Sequence, residues 1–303
     1  MSERYKKYST YLKDRFSQRV HRISIDAGFS CPNRDGVIST GGCIYCDNKS
    51  FSYNSNHEPL SIEQQIINGI QTAGKRFNAK KYILYFQAYT NTYADIKVLK
   101  EKYDVIKKFK DIVGLSIATR PDCIDDAKLD LIKSYTNEYD VWIEYGLQSI
   151  HDETLKKINR GHKYKDFLDA LEKTRSRGIK VCVHVIIGLA GETREMILET
   201  AKQMGALKID GIKIHPLYIV KTTPLAQSFE KKLYETMDLE DYVDILAEFL
   251  TYLDKETVVQ RLSAYCSKEI LTAPLWAGEH HVVEPLLEYI LKAKNIRQGL
   301  IKI

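Results

Sequence analysis

The sequence predicts an α/β protein built on a parallel sheet, and three observations predict it. Short apolar, β-branched runs recur along the chain; longer segments of helical periodicity separate them; and polar or glycine-containing sequence follows run after run. The first run is HRISIDAG at 21–28. A helical pattern at 61–78 leads to YILYFQ at 82–87, a second at 95–110 to VGLSIAT at 113–119, and a third at 125–138 to VWIEYGL at 141–147. Residues 151–178, broken near Gly161, precede VCVHVIIGL at 181–189, and 193–207 precede DGIKIHP at 210–216. A doubly wound sheet and a barrel both satisfy this alternation. The polar ends favour one shared open face, where parallel sheets place their chemistry. Cys31, Gln87, Arg120, Gln148, Gly188 and His215 all fall near those ends, which points to a single site ringed by the sheet.

After Pro224 the pattern turns helical. Leu239, Val243, Leu246, Leu250 and Leu253 make an apolar stripe, while Glu240, Asp241, Asp244 and Glu248 fall off it, so this helix has a packing face. Residues 257–303 hold Arg261, Tyr265, Lys268 and Trp276, then Glu279, His280 and His281, and a final helix at 284–294. The expected organisation is a segment at 1–22, a sheet domain at 23–226 and a helical extension at 227–303.

With 303 residues, 44% of them hydrophobic and 28% charged, the chain has ample length for one large core. No apolar run approaches the roughly 18 residues of a membrane span, and the first residues lack the apolar core of a signal peptide, so cytoplasmic residence and no membrane partner are expected. The net charge of +5 is mild but uneven. Residues 1–22 carry Arg4, Lys6, Lys7, Lys13, Arg15, Arg19 and Arg22 against Glu3 and Asp14, interleaved with Tyr5, Tyr8, Tyr11 and Phe16. Such a segment suits phosphate neutralisation and base stacking; it equally suits a helix that packs its aromatics on the main domain.

Six cysteines occur. Cys123, Cys182 and Cys266 are scattered singly and read as small buried hydrophobes. Cys31, Cys43 and Cys46 are different: they form C-x11-C-x2-C around the polar, glycine-rich PNRDGVISTGG. In a reducing compartment three thiolates on one loop read as metal chemistry rather than a disulfide. By spacing alone they fit a structural zinc site completed by His57, or an iron–sulfur cluster. Position favours the cluster, because the loop follows the first strand and would set the metal at the reactive end of the sheet. A four-iron cluster held by three cysteines keeps one iron free to bind a reactant.

The chain resembles the radical S-adenosylmethionine (SAM) superfamily, in which a cysteine trio follows the first strand of a partial barrel, with an aromatic residue, here Tyr45, before the last cysteine. Its longer cysteine spacing, in FSCPNRDGVISTGGCIYC at 29–46, is similar to the branch that includes the radical domain of Elongator protein 3 and bacterial relatives of the YhcC/YtqA type. Further matches are YFQAYTNTY at 85–93, ATRPDC at 118–123, IEYGLQS at 143–149, INRGH at 158–162, HVIIGLAGET at 184–193 and HPLYIVKTTPLA at 215–226.

The resemblance implies a partial (β/α)6 TIM-like barrel of the radical SAM type with a C-terminal helical extension. It also implies a 4Fe-4S cluster on Cys31, Cys43 and Cys46, whose open iron chelates SAM, and reductive SAM cleavage to a 5′-deoxyadenosyl radical. For SAM it implies Tyr45 beside the adenine, Gln87 to Thr90 near the methionine amino group, Glu144 at the ribose, and Gln148 and Arg160 at ribose or carboxylate. Gly188 and Gly191 would permit close backbone approach. Unaided, these residues read equally as core packing, solvated polar groups and turn glycines.

The YtqA type further implies tRNA wobble-uridine modification: conversion of 5-carboxymethylaminomethyluridine, or its 2-thio form, to the 5-aminomethyl form before a separate methyltransferase acts. The partners expected are the tRNA anticodon stem-loop and an electron donor such as flavodoxin or ferredoxin. The N-terminal cations with Lys75, Arg76, Lys80, Lys81, Arg261 and Lys268 are candidates for phosphate contacts, and Arg120, His215 and Lys221 for the substrate carboxylate. About 80 residues after the barrel leave too little room for an acetyltransferase domain. Two other readings stay open here: the same radical chemistry on a non-tRNA substrate, and a non-catalytic tRNA-binding protein with structural zinc.

Overall fold

The computed structural model describes residues 3–47 and 60–302; His57 lies outside them. Six parallel strands follow the expected alternation: β1 (Val20–Ile25), β2 (Lys81–Phe86), β3 (Ile112–Thr119), β4 (Asp140–Gln148), β5 (Lys180–Ile187) and β6 (Gly211–Pro216). A short β7 (Ile219–Val220) leaves the sheet, and β8 (Val258–Arg261) joins it beside β6, giving one curled sheet in the order β1-β2-β3-β4-β5-β6-β8. This is the partial barrel expected. The extension is more than helical, because it supplies the seventh strand and also β9 (Leu271–Ala273), which pairs antiparallel with β7.

Helices α1 (Tyr8–Phe16), α2 (Ile62–Phe77), α3 (Ile96–Asp104), α4 (Asp126–Lys133), α5 (Asp152–Lys157), α6 (Tyr164–Arg175) and α7 (Arg194–Ala206) complete the barrel; α8 (Pro224–Glu230), α9 (Leu239–Tyr252) and α10 (Val283–Ala293) follow. Several begin where a side chain satisfies an open N–H: Ser61 caps α2, Thr193 caps α7 and Asp238 caps α9. The break at Gly161 separates α5 from α6, and its φ of 76° is left-handed backbone that favours glycine. In α9, Val243, Leu246 and Leu250 are buried as the stripe predicts, against α7 and α10. No helix among the described residues is long and apolar enough to cross a membrane.

Period-two alternation sorts the strand side chains. Ile23, Leu84, Leu115, Ile143, Val183 and Ile212 face outward into the main core beneath the helices. Their neighbours in sequence, Arg22, Tyr85, Ser116, Glu144, His184 and Lys213, belong to the other set and face the barrel lumen. The seven strands of the main sheet run parallel, so their C-termini open on one side.

The opposite end is plugged by α1. Tyr8 and Tyr11 pack with Trp142, Cys182 and Val258, and Tyr5 and Leu12 are buried. Of the two readings of the N-terminal segment, the structure shows packing of aromatics on the main domain. Asp140, 1% exposed, fixes the plug: it accepts hydrogen bonds from Tyr11 Oη at 2.9 Å, Trp142 Nε1 at 2.9 Å and Lys180 Nζ at 2.6 Å, and pairs with Arg15 at 3.0 Å. Lys75, Arg76, Lys80 and Lys81 flank the entry to β2, and so lie at this plugged end too, away from the open face. Removing Asp140 leaves the buried Trp142 N–H and the Tyr11 hydroxyl without their acceptor, while Arg15 and Lys180 stay in contact with water. Asp140→Ala is expected to cost about 1–3 kcal/mol and Tyr11→Phe about 1 kcal/mol, measured by denaturant unfolding.

Candidate active site

The open end holds a cavity of about 690 Å³, within the range of roughly 300–1,000 Å³ typical of sites that engulf a small ligand. Its wall brings together Cys31, Cys43, Cys46, Tyr45, Gln87, Thr90, Arg120, Glu144, Gln148, Arg160 and His215, drawn from the ends of successive strands as expected. Two expected residues stand apart. Gly188 is left-handed, with φ 92°, but its carbonyl accepts a hydrogen bond from Tyr234 and it does not line the cavity. Lys221 follows β7 on the exterior, where its Nζ donates to the Glu269 carbonyl at 2.6 Å. It cannot serve as a carboxylate receptor within the cavity.

The cysteine loop is shaped by its own polar groups. Arg34 and Asp35 N–H both donate to the Cys31 carbonyl, Gly42 N–H to Asn33, and Cys46 N–H to the Cys43 carbonyl. Gly42 takes a φ of 73° in the turn before Cys43. A second segment, residues 158–162 between α5 and α6, clamps the loop. Asn159 Nδ2 donates to the Gly42 carbonyl at 2.7 Å, Ile44 N–H to the Ile158 carbonyl, and the fully buried Asn33 donates to the Asn159 carbonyl at 2.6 Å. A Cβ on Gly161 would sit 2.6 Å from Asn33 Oδ1, so the clamp has no room for a side chain there. Thr90 N–H, at the end of β2, holds Ser30 on the other side.

Cys43 is buried, while Cys31 and Cys46 are partly exposed. Its sulfur is approached by Arg160 Nη1 at 3.6 Å and Asn33 Nδ2 at 3.7 Å, donors that favour thiolate. Burial, then neighbouring Cys43, pushes the Cys46 thiol up to about 12, so a metal must displace its proton. The cavity beside the three cysteines leaves room for a group larger than a single ion.

Space and unmet polarity lie beside the loop. The buried Oε1 of Gln148 has no partner among the described residues, and Gln148 is held at φ 79°. A Cβ on Gly146 would meet Arg160 Nη2 at 2.7 Å and Gln148 Nε2 at 2.9 Å, so glycine there lets both lie across the strand. Arg160 donates from Nη2 to the Gly146 carbonyl at 2.6 Å. Arg120 is committed: it forks onto Asp122 at 2.9 and 2.7 Å and donates to the Arg160 carbonyl at 2.7 Å. At 2% exposure it holds the clamp with its fork already engaged, although it also lines the cavity.

Glu144 is also engaged differently from the ribose contact expected. Fully buried in the lumen, it accepts from Lys213, from His184 Nε2 at 2.7 Å and from Ser116 Oγ at 2.5 Å, with Arg22 Nη2 at 3.4 Å. Burial raises its pKa, but Lys213, Arg22 and the His184 hydrogen bond outweigh this and hold it well below the carboxylate range. Burial pulls Lys213 below the lysine range against the upward pull of Glu144. Burial likewise keeps His184 neutral, with a pKa lowered to about 4, and lowers His215 well below its usual value, Arg261 adding to the effect. His184 and Lys213 escaped the sequence reading, and Arg22, read there with the N-terminal cations, turns into the lumen instead; the signal was a polar residue at every second position of otherwise apolar strands.

A parallel half-barrel with a three-cysteine loop over its open end defines a cluster-dependent enzyme rather than a zinc-stapled binding module. The Radical SAM superfamily matches residues 35–204 and the Radical SAM C-terminal domain residues 209–290, and the chain belongs to that superfamily, whose enzymes use a 4Fe-4S cluster and SAM. Protein YhcC of Escherichia coli is 41% identical over 266 residues, covering 88% of this chain and 85% of that protein. YtqA of Bacillus subtilis is 36% identical over 300 residues, covering 98% and 92%. Elp3 of the archaeon Methanocaldococcus infernus shares the fold, with a TM-score of 0.68 and 18% identity over 93% of this chain and 64% of that one, so the chain spans less than two thirds of it.

Two outcomes follow. Cys43→Ala should abolish the visible cluster absorbance after reconstitution while leaving the far-ultraviolet circular dichroism of a folded barrel; retained absorbance would overturn the ligand set. Glu144→Gln should destabilise by about 3–5 kcal/mol, since it leaves buried cations unpaired. A depressed carboxylate pKa stabilises fully above its unfolded value of 4.5 and loses that contribution only as pH falls through the lower folded value. The carboxylate's own share of the gap should therefore stay level from pH 8 to about 5, while Lys213, lowered to about 7 against the upward pull of Glu144, should make the gap widen as pH falls through 7; it should narrow only in stronger acid.

Proposed function

We propose that this radical SAM enzyme acts on tRNA, at a wobble uridine bearing a 5-carboxymethylaminomethyl group or its 2-thio form, and opens the route to the 5-aminomethyl form. The observation that carries the reading is the division of the cavity. The cysteine loop and the ends of β2 and β4 make one wall, and β8 with the Ser263–Tyr265 segment and Glu284 makes the other, so space for a second molecule faces the cofactor wall. The substrate class itself is taken from the motif resemblance of the chain to the YtqA branch.

In this reading Cys31, Cys43 and Cys46 hold the cluster, and Tyr45, Gln87, Thr90, Gln148 and Arg160 surround SAM. The bound pair supplies a carbon-centred radical that removes one hydrogen atom from the substrate. The protein's part is placement and exclusion of water. Gln148 Oε1 offers an unfilled acceptor to the cofactor, and Arg160 ties the β4 end to Cys43 so that cluster and ligand keep one spacing. Glu144, locked by Lys213 and His184, forms a rigid floor beneath them. The substrate CH2 lies between nitrogen and carboxylate, and both neighbours stabilise a radical there. Lys156, Lys157, Lys221 and Lys268 stand exposed on segments that follow strand ends and are the cations proposed to meet phosphates.

The test is anaerobic reconstitution, reduction with dithionite in the presence of SAM, and chromatographic assay of 5′-deoxyadenosine with and without tRNA carrying the carboxymethylaminomethyl group. Release should rise severalfold with that tRNA and the modified nucleoside should disappear on digestion. Release indifferent to tRNA would keep the chemistry and remove the substrate assignment.

A further inference from the structure

The seventh strand carries a defect in the right place to recognise a substrate. Along β6 and β8, Ile212 pairs with Val259 and Lys213 with Arg261, so Gln260 is an extra residue in the ladder. A bulge re-aims side chains, and here Gln260 and Arg261, adjacent in sequence, both line the cavity. Gln260 Oε1 accepts from Arg22, which leaves its buried Nε2 without a partner among the described residues. The Arg261 side chain makes no hydrogen bond or ion pair with any described residue. Glu144 is taken by Lys213, His184 and Ser116, and Glu284, on the same wall, accepts from Ser263 Oγ at 3.0 Å. The groups Arg261 faces in the lumen, His215, His184 and Lys213, give it no negative partner.

We propose that the β8 bulge makes the anion receptor of the enzyme: it turns Arg261 toward the cavity, where the guanidinium grips the two oxygens of a substrate carboxylate. A planar fork of N–H groups matches a carboxylate bidentately, and a free fork in a cavity wall selects for one. The proposal takes its occupant, the carboxylate of the carboxymethylaminomethyl group, from the functional reading above. Arg261 thus does the task that sequence reasoning gave to Arg120 and Lys221. The C-terminal extension becomes the part that decides which substrate is accepted.

The reconstituted protein is treated with phenylglyoxal, which attacks free guanidinium groups, and modification of Arg261 is followed by peptide mass spectrometry. Three probes are compared: an anticodon stem-loop with 5-carboxymethylaminomethyluridine, the same RNA with 5-aminomethyluridine, and sarcosine, whose N-methylglycine skeleton reproduces the reacting group without RNA. The carboxylate RNA should slow labelling about tenfold or more, the aminomethyl RNA should leave it nearly unchanged, and sarcosine should protect at high concentration. Protection by sarcosine with neither RNA effective keeps the receptor and overturns the tRNA reading. Equal protection by both RNAs makes Arg261 a phosphate contact and overturns the proposal, as does absence of protection by any probe. Arg261→Gln should abolish the discrimination between the two RNAs, chiefly through KM, and Arg261→Lys should restore part of it; full discrimination in Arg261→Gln would also overturn the assignment.

Discussion

A polar barrel lumen survives folding only if its charges are matched, and here one carboxylate does most of the matching. Glu144 lies where β1, β3, β5 and β6 all reach it, through Arg22, Ser116, His184 and Lys213. An ion in low dielectric costs several kcal/mol unless geometry and extra hydrogen bonds offset it, and four donors on one carboxylate provide that geometry. The arrangement adds cross-links within the sheet and ties β4 to β1 and β6, with which it shares no direct hydrogen bonds. Lys213 above the Tyr85 ring at 4.1 Å and Arg22 between the rings of Tyr8 and Tyr85 extend the same cluster to β2 and α1. What stands above this floor inherits its rigidity.

The cysteine loop depends on rigidity differently. It contains few apolar residues and has little core of its own, so its shape comes from amide-to-carbonyl bonds with the 158–162 segment. Asn33, Asn159 and Arg160 are the contact points, and Gly161 supplies the close approach. Because Arg160 also binds the Gly146 carbonyl, the geometry of the β4 end passes to Cys43 through a single side chain. Arg120, forked onto Asp122, holds the clamp from behind. Functional groups on a loop are thereby positioned by strands.

Much of this was legible in the sequence. Strand and helix alternation, the break at Gly161, the α9 stripe and the convergence of polar strand ends follow from periodicity, and the cysteine trio carried the chemistry. What was not legible is of one kind: which partner a polar side chain chooses. Arg120 reads as a free cation until Asp122 is seen folded against it, and Lys221 reads as a site residue until β7 is seen to leave the sheet. Gln260 and Arg261 fall in a segment without periodicity, and only pairing of β8 with β6 turns them inward. The basic, aromatic N-terminus supported two readings because Tyr8 and Tyr11 suit a base as well as they suit Trp142.

The plug that seals the far end joins distant parts of the chain. Val259 N–H donates to the Lys6 carbonyl, Gln298 N–H to the Arg4 carbonyl, and Arg4 Nη1 to the Ile296 carbonyl. Residues 4–6 are thus seated against residues more than 250 positions further along the chain. Such contacts carry a large loop-closure cost and form late. On the ribosome, strands β1 to β6 can pair as they emerge, but the lumen must wait with one edge unsealed. Until then its buried charges stay open to water, and cluster delivery to the cysteine loop at the other end has a period when the barrel is assembled but still yielding.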